Sequence, residues 1–464
     1  TSWLGDSFNM LPSAKDTTDG VVTAPYITAW QAASESIGTI SATGSFSALA
    51  LGSNEVTVRS GAAKGSRTVF VAPPAGATRY PADSVTDIQD FSLAKVGDRT
   101  LAVWFVPADK KIYWRFINAD GTLDASVHSN PAWAAEGEQA VRVASRNANE
   151  ALIAFRGGAN YTFNGVTKAH NTVFFTLIDG ATGNIKKKAD NSDVSAYLPL
   201  SAEFDFYTLN GLTANNQNYF LTYFYNSGVK YLHYVYRLSI ADDLGMSYSN
   251  YYYPGLGNDA FSSLKPDEDT FSFLADGNKC LLVQHFLYNS QIQISLNPLD
   301  ASNGLAPPAA PAAVAYIHDR EKIVSIASDG TKYLAAGIEV GAESSFLKTY
   351  LYDAALAQTV SGTKVCELGT IAVDSLNYNL SNVWNKSEYL VAFTRKQQRV
   401  VNGVIKSITQ PMVQAVGADG LLKGPAYPIA ASGTLPKLIP TVDGAIAYWM
   451  TEKKSIACRN LKFH

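Results

Sequence analysis

Along this chain a tight polar turn is followed at once by a short apolar run, and the pair recurs. It is plainest at Ser328-Asp329-Gly330-Thr331-Lys332, which leads into Tyr333-Leu334-Ala335-Ala336. The same succession occurs at Gly97-Asp98 before Leu101 to Phe105, at Asn147-Ala148-Asn149 before Ala151 to Phe155, and at Asn216-Gln217-Asn218 before Tyr219 to Tyr223. It returns at Asp276-Gly277-Asn278 before Cys280 to Val283, at Asn385-Lys386 before Tyr389 to Phe393, and at Asp443-Gly444 before Ala445 to Trp449. From Asp98 to Asp443 the spacing averages about 57 residues, a period typical of stacked or radial repeats.

Within a repeat the pattern predicts four strands. In 86–130 these are Ile88 to Lys95, Leu101 to Val106, Lys111 to Ile117 and Thr122 to Val127, with a turn at Asn118-Ala119-Asp120-Gly121. Equivalent turns fall at Asp179 to Gly183, Asp242 to Gly245, Asp300 to Gly304 and Ala418 to Gly420. Asx and Gly residues supply the hairpin dihedrals there. The surroundings of Asp120, Asp179 and Asp300 match no calcium-ligand loop, so turn chemistry is expected of them. No helical period interrupts the strands.

Four antiparallel strands with short loops, repeated along the chain, describe an all-β fold of β-propeller blades. The expected blades span roughly 35–80, 86–130, 138–195, 202–255, 267–312, 318–368, 373–430 and 434–464 of a single domain. The first is a faint copy: Glu35 to Ser41, Phe46 to Leu51, Glu55 to Val58 and Arg67 to Val71. Counting it favours eight blades; without it the count is seven. The last repeat has only three strands, so an N-terminal strand within 20–30, Val21 to Ile27, is expected to close the ring.

In strand order and period the chain resembles the β-propeller superfamily over nearly its full length. Signatures of families within it are missing: no Gly-His and Trp-Asp pair, no double-Gly kelch pattern, no sialidase box, and no quinoprotein tryptophan repeat. The resemblance implies that the first strand of each blade lines a central channel and that the loops before it ring one mouth.

Composition supports a sheet-rich, extracellular reading. Tyr (25) and Phe (21) are abundant and Met (4) is scarce, as suits pleated surfaces. Net charge of −3 argues against a general nucleic-acid binder. The one basic run, Lys186-Lys187-Lys188, reads as a solvated turn. No apolar stretch reaches the ~18 residues of a membrane span. The chain begins at Thr1 with no leader-like segment, as expected of a processed or trimmed protein, and its few Cys and Lys with many Asn, Ser, Thr and Tyr suit a protein of the cell exterior, surface or periplasm. Cys280, Cys366 and Cys458 lack metal-ligand spacing. Buried thiols acting as small hydrophobes are expected, with one disulfide as the alternative.

Read in register, the mouth positions are repeatedly acidic: Asp87 and Asp90, Glu138, Glu203 and Asp205, Asp267 and Asp269, and Asp374, with Lys437 closing the series. His318-Asp319-Arg320 adds an imidazole and a guanidinium at the same level. Such a ring can bind a cation such as Ca2+, a basic group or sugar hydroxyls, and like charges raise some carboxylate pKa values. No resident cofactor is otherwise implied. Two further candidates stand apart. Tyr251, Tyr252 and Tyr253, read as a loop, offer an aromatic platform. Tyr231, His233 and Arg237 share one face of a third strand.

The leading expectation is a secreted or surface propeller that binds an extracellular ligand, a glycan above all, at its acidic mouth and aromatic loops. A polysaccharide lyase or hydrolase using the same mouth is the alternative. A structural protein contacting a partner chain is the third reading.

Overall fold

The computed structural model describes the chain except residues 1, 4–6, 13, 16–20, 23–26, 28, 50–51, 73–75, 131–139, 158–160, 164–165, 169–171, 200–206, 227–230, 242–244, 253–270, 277–278, 289–290, 301–314, 318–320, 340–344, 370–379, 402–403 and 464. Among the described residues every regular element is a strand. Among them no helix is long and apolar enough to cross a membrane.

From residue 90 onwards the strands, apart from the separate hairpin of Tyr161–Phe163 with Val166–Lys168, pair in chain order into successive antiparallel sheets, here numbered I to VII. Sheet I comprises Asp90–Val96, Arg99–Val106, Lys111–Ile117 and His128–Ser129; sheet II comprises Val141–Asn147, Glu150–Gly157, Thr172–Asp179 and Ser195–Pro199. Sheet III comprises Tyr207–Ala214, Asn218–Asn226, Tyr231–Ile240 and Met246–Tyr252; sheet IV comprises Phe271–Asp276, Lys279–Tyr288, Gln291–Asp300 and Ala315–Ile317. Sheet V comprises Glu321–Ser328, Lys332–Glu339, Ser345–Asp353 and Gln358–Gly369; sheet VI comprises Ser381–Trp384, Glu388–Val401, Val404–Gly417 and Tyr427–Pro428. Sheet VII has three strands, Thr434–Thr441, Gly444–Met450 and Ile456–Lys462.

Where their side chains are described, the second strands are largely apolar on both faces because their sheets are packed between two others. Alternate side chains serve opposite neighbours. In sheet II, Ala151, Ile153 and Phe155 pack with Leu101, Val103, Phe105 and Trp114 of sheet I. Leu152 and Ala154 turn the other way, towards Leu209, Tyr219 and Leu221 of sheet III. Sheets IV and V, V and VI, and VI and VII share cores in the same manner. The succession then returns on itself: Ile446, Tyr448 and Met450 of sheet VII share a core with Phe91, Ala102 and Trp104 of sheet I. Fully burying a side chain the size of Phe or Leu stabilises the fold by about 1.5–3 kcal/mol. First strands also lie side by side from sheet to sheet, and that of sheet VII lies beside that of sheet I.

The repeated turn is an Asx turn. Asp329 Oδ1 accepts from the Thr331 and Lys332 backbone N–H groups at 2.7 Å each, and Asn385 Oδ1 accepts from Ser387 and Glu388. Asn215 Oδ1 accepts from Gln217 and Asn218 in the same way. The tyrosine that follows reaches back to the preceding sheet's turn. Tyr389 Oη donates to the Lys332 carbonyl at 3.3 Å, and Tyr219 Oη donates to Glu150 Oε1 at 3.3 Å. Glu150 is buried and is also held by Arg146 and by Lys186 Nζ at 3.2 Å. Lys186 is therefore not merely solvated, as its basic run suggested; the neighbouring Lys187 pairs with exposed Asp193.

The N-terminal part departs from the expected repeat. Residues 35–80 do not form one four-stranded sheet. Ser45–Ala48 pairs with Gly38–Ile40 on one side and Ser7–Asn9 on the other, whereas Gly52–Ser60 and Ala63–Ala72 pair with each other and with Ala29–Ala32 and Ser2–Trp3 respectively. Val21–Val22 pairs with Ala14–Lys15 and not with sheet VII. The outer edge of sheet VII is instead lined by 76–79. Gly76 N donates to the Asn460 carbonyl at 2.8 Å, and Arg79 exchanges both backbone bonds with Cys458 at 2.9 and 2.8 Å.

None of the three cysteines is in a disulfide; Cys280 and Cys458 are buried and Cys366 is half-buried. Burial pushes the Cys458 thiol up to about 12. Turn chemistry holds Asp120 and Asp179: Asp120 Oδ1 accepts from Thr122 N at 2.8 Å, and Asp179 Oδ1 from Thr182 N at 2.8 Å. The side-chain hydrogen bond from Thr122 comes first among the causes that hold Asp120 below the usual carboxylate range.

Candidate functional site

Strands in each sheet run alternately, so the loops before the first strands and the loops joining second to third strands share one face. The first strands start there, and on them three charged side chains meet. Asp90 opens the first strand of sheet I, Arg142 is the second residue of that of sheet II, and Lys437 lies in that of sheet VII. The three strands are neighbours.

Asp90 Oδ2 accepts from Arg142 Nη1 at 2.6 Å and from the Val141 backbone N–H at 3.1 Å. Its Oδ1 accepts from Phe91 N at 2.8 Å. Both oxygens are engaged, so the carboxylate fixes Arg142 and the start of sheet II. Lys437 approaches from the other side. Its Nζ donates to the Phe91 carbonyl and lies 4.3 Å from the centre of the Phe91 ring. The residue is half-buried. Desolvation pulls its pKa down to about 8; Asp90 opposes that shift and Arg142 adds to it.

The local sequence explains the placement. The first strands are sheet edges, whose outer N–H and C=O groups have no ladder partner within their own sheet. Short polar side chains supply partners from the next sheet: Ser92 Oγ accepts from Val143 N at 3.2 Å, and Ser381 Oγ from Leu438 N at 3.0 Å. Asp90 belongs to the same series and adds a charge.

Of the expected mouth residues, Asp90 is thus brought into a cluster. Asp87 lies three residues earlier, exposed and in the left-handed region (φ 61°), beside Ile88, whose N–H donates to the Lys454 carbonyl at 2.9 Å. Glu138, Glu203, Asp205, Asp267, Asp269, His318, Asp319, Arg320 and Asp374 lie outside the described residues. Around Asp90 the charge is mixed and not uniformly acidic, because Arg142 and Lys437 stand against it. Arg142 was not anticipated: one basic residue between two valines reads as an ordinary solvent-facing position. Among the described residues no three His, Cys, Asp or Glu side chains converge to hold a metal ion.

The tyrosine segment expected as a loop is a strand up to Tyr252. Tyr251 pairs with Val235 and Tyr252 with Tyr234, on the outer edge of sheet III. Tyrosine suits a pleated edge, and this overrides the nearby turn residues. Tyr253 and the side chains of Tyr251 and Tyr252 lie outside the described residues, as do those of Tyr231 and His233. The third-strand placement of Tyr231, His233 and Arg237 stands.

No family model and no curated protein matches the chain. Similar solved structures include a prolyl endopeptidase, at 11% identity over 86% of this chain and 51% of that one, with a TM-score of 0.42. The chain thus spans about half the length of that enzyme. They also include a polysaccharide lyase, an ulvan lyase bound to -[GlcA(1-4)Rha3S]-, at 9% identity over 82% and 95%, TM-score 0.46. A third is the hydrazine synthase of Kuenenia stuttgartiensis, at 9% identity over 81% and 96%, TM-score 0.43. Likeness at this level says nothing of substrate or activity.

Proposed function

We propose that this chain is a seven-bladed β-propeller of the cell exterior that binds a glycan on the face where its first strands begin. Sheets I to VII are the blades, and residues 76–79 supply the outer strand of the seventh. The observation that carries the functional reading is the convergence of Asp90, Arg142 and Lys437 on three adjacent innermost strands. A fixed carboxylate beside two cations offers acceptors and donors together, which suits a ligand rich in hydroxyl groups and bearing acidic substituents. Lys437 is the member that can be changed with least effect on sheet pairing, since Asp90 and Arg142 also tie sheets I and II.

The expected result is glycan-array binding by the full chain, weakened about tenfold or more in Lys437→Met, the size of one lost charge-assisted contact. Array binding unaltered by that substitution would remove the cluster from the ligand site. Release of unsaturated product from uronate polysaccharides, followed as ultraviolet absorbance, would replace the binder with a lyase.

A further inference from the structure

The two small N-terminal sheets leave a space between them. Gly52–Ser60 and Ala63–Ala72 pair with Val56 opposite Arg67 and Val58 opposite Gly65, so these residues share one face. Trp30 stands opposite Val58 on Ala29–Ala32 and rises from the same face. The other wall is Phe8 to Pro12, which continues the strand Ser7–Asn9 of the second sheet. The cavity so enclosed has a volume of about 550 Å³, within the range of roughly 300–1,000 Å³ that holds small organic molecules. Leu11 is 91% exposed and Phe8 37%, so the space reaches the surface.

Its walls are fixed by the fold. Phe8 rests on buried Phe46, with ring centres 5.6 Å apart. Trp30 lies against Gly44, where a Cβ would come within 2.9 Å of two indole carbons; Gly44 is in the left-handed region (φ 84°), and its carbonyl accepts from Met10 N at 2.8 Å. Val56 and Val69 close the floor over the core they share with Phe46. At Gly65 the face is bare: a Cβ there would meet only Val58 Cγ1, at 3.6 Å. Among the described residues Arg67 is the one charged group in the lining, and no hydrogen bond or ion pair holds its exposed side chain. Glu55, the acid of the same strand pair, stands opposite Thr68 and so belongs to the other face.

We propose that this cavity binds a small amphiphilic carboxylate, as a fatty acid is, with the apolar body between Trp30 and Val58 and the head group on Arg67. A guanidinium beside an apolar space is complementary to an anion carried on an apolar chain, and it can hold a carboxylate through two N–H groups. A cationic amphiphile would meet the charge of Arg67. A sugar would set its hydroxyls against Val58, Met10 and Leu11, which cannot replace the hydrogen bonds it makes with water. The site uses none of Asp90, Arg142 or Lys437, so it stands apart from the glycan reading.

The test is calorimetric titration of the full chain, of Arg67→Gln and of Gly65→Leu with decanoate, decyltrimethylammonium and maltotriose, the amphiphiles kept below micelle formation. Wild type is expected to bind decanoate, the cationic amphiphile at least about tenfold more weakly, and maltotriose not at all. Arg67→Gln should lose about tenfold for decanoate and bind the two amphiphiles alike; its side chain is exposed, so its melting temperature should stay at the wild-type value. Gly65→Leu puts a side chain into the space and should abolish binding of both. Should that variant melt early, Arg67→Gln decides. No binding of decanoate, or decanoate binding that survives in Gly65→Leu at an unchanged melting temperature, would overturn the site. Equal affinity of wild type for the two amphiphiles, unmoved by Arg67→Gln, would overturn the anionic class. Maltotriose binding lost in Gly65→Leu would make the cavity a sugar site instead. A wild-type dimer in sedimentation that Gly65→Leu dissolves would replace the small molecule with a second copy of the chain.

Discussion

An ammonium set against a phenyl ring and a carbonyl, as at Lys437, has exchanged water for weaker partners. In the unfolded chain this lysine holds its proton to about 10.5; folded, it releases it near 8. Between those values the unfolded chain binds more protons than the folded one, so stability rises with pH across that window. Below it the folded state carries the full penalty. Allowing for partial exposure, the effect is on the order of 2 kcal/mol. Urea midpoints measured at neutral pH and above about pH 9 should therefore climb more steeply in wild type than in Lys437→Met. Parallel pH dependence in the two proteins would show that the ammonium is not desolvated. Sequence reasoning reached Asp90 and Lys437 through their place in the repeat. It had no access to Arg142, because a base on an alternating strand carries no mark of which acid, on which sheet, it will meet.

Strand order was legible because each turn announces itself chemically. Asp329, Asn215 and Asn385 accept backbone N–H groups two and three residues on, and such residues are scarce elsewhere in apolar runs. Pairing beyond the hairpin was less legible. Ser45–Ala48 and Gly52–Ser60 follow each other in sequence yet enter different sheets, since alternation specifies a buried face and not a partner. The back-reaching tyrosines were also unforeseen, although Tyr219, Tyr333 and Tyr389 stand at one position of the repeat. The hydroxyls of Tyr219 and Tyr389 join one sheet's second strand to the turn of the sheet before, so Tyr389→Phe should lower stability by about 1 kcal/mol with no change in ligand affinity. Glu150→Gln should be more costly, up to about 3 kcal/mol, because Arg146 and Lys186 lose the charge they face. Chemical denaturation of the two variants measures both; a Glu150→Gln variant as stable as wild type would mean that the network is solvated.

At the scale of the whole molecule, the last sheet depends on a short segment that precedes the first. Arg79 both donates to and accepts from Cys458, and Arg459 Nη2 donates to Thr78 Oγ1 at 2.6 Å. Arg79→Pro removes the N–H of that exchange, and it is expected to lower the melting temperature by several degrees, with the core shared by sheets VII and I loosened first. Hydrogen exchange should accordingly quicken in Gly444–Met450 and Ile456–Lys462 before it does in sheet III. Unaffected exchange in those strands would mean that the core shared by sheets VII and I holds them without residues 76–79. The same seam has a kinetic consequence. Thr78 and Arg459 are 381 positions apart, so bringing them together costs about 5 kcal/mol of chain entropy unless intervening sheets have already formed. On the ribosome, residues 76–79 emerge early and must wait for the final strand. Until the Ile456–Lys462 strand has been made, the apolar side chains of sheet I that share its core stay uncovered, and that interval is when the protein is most open to misassembly.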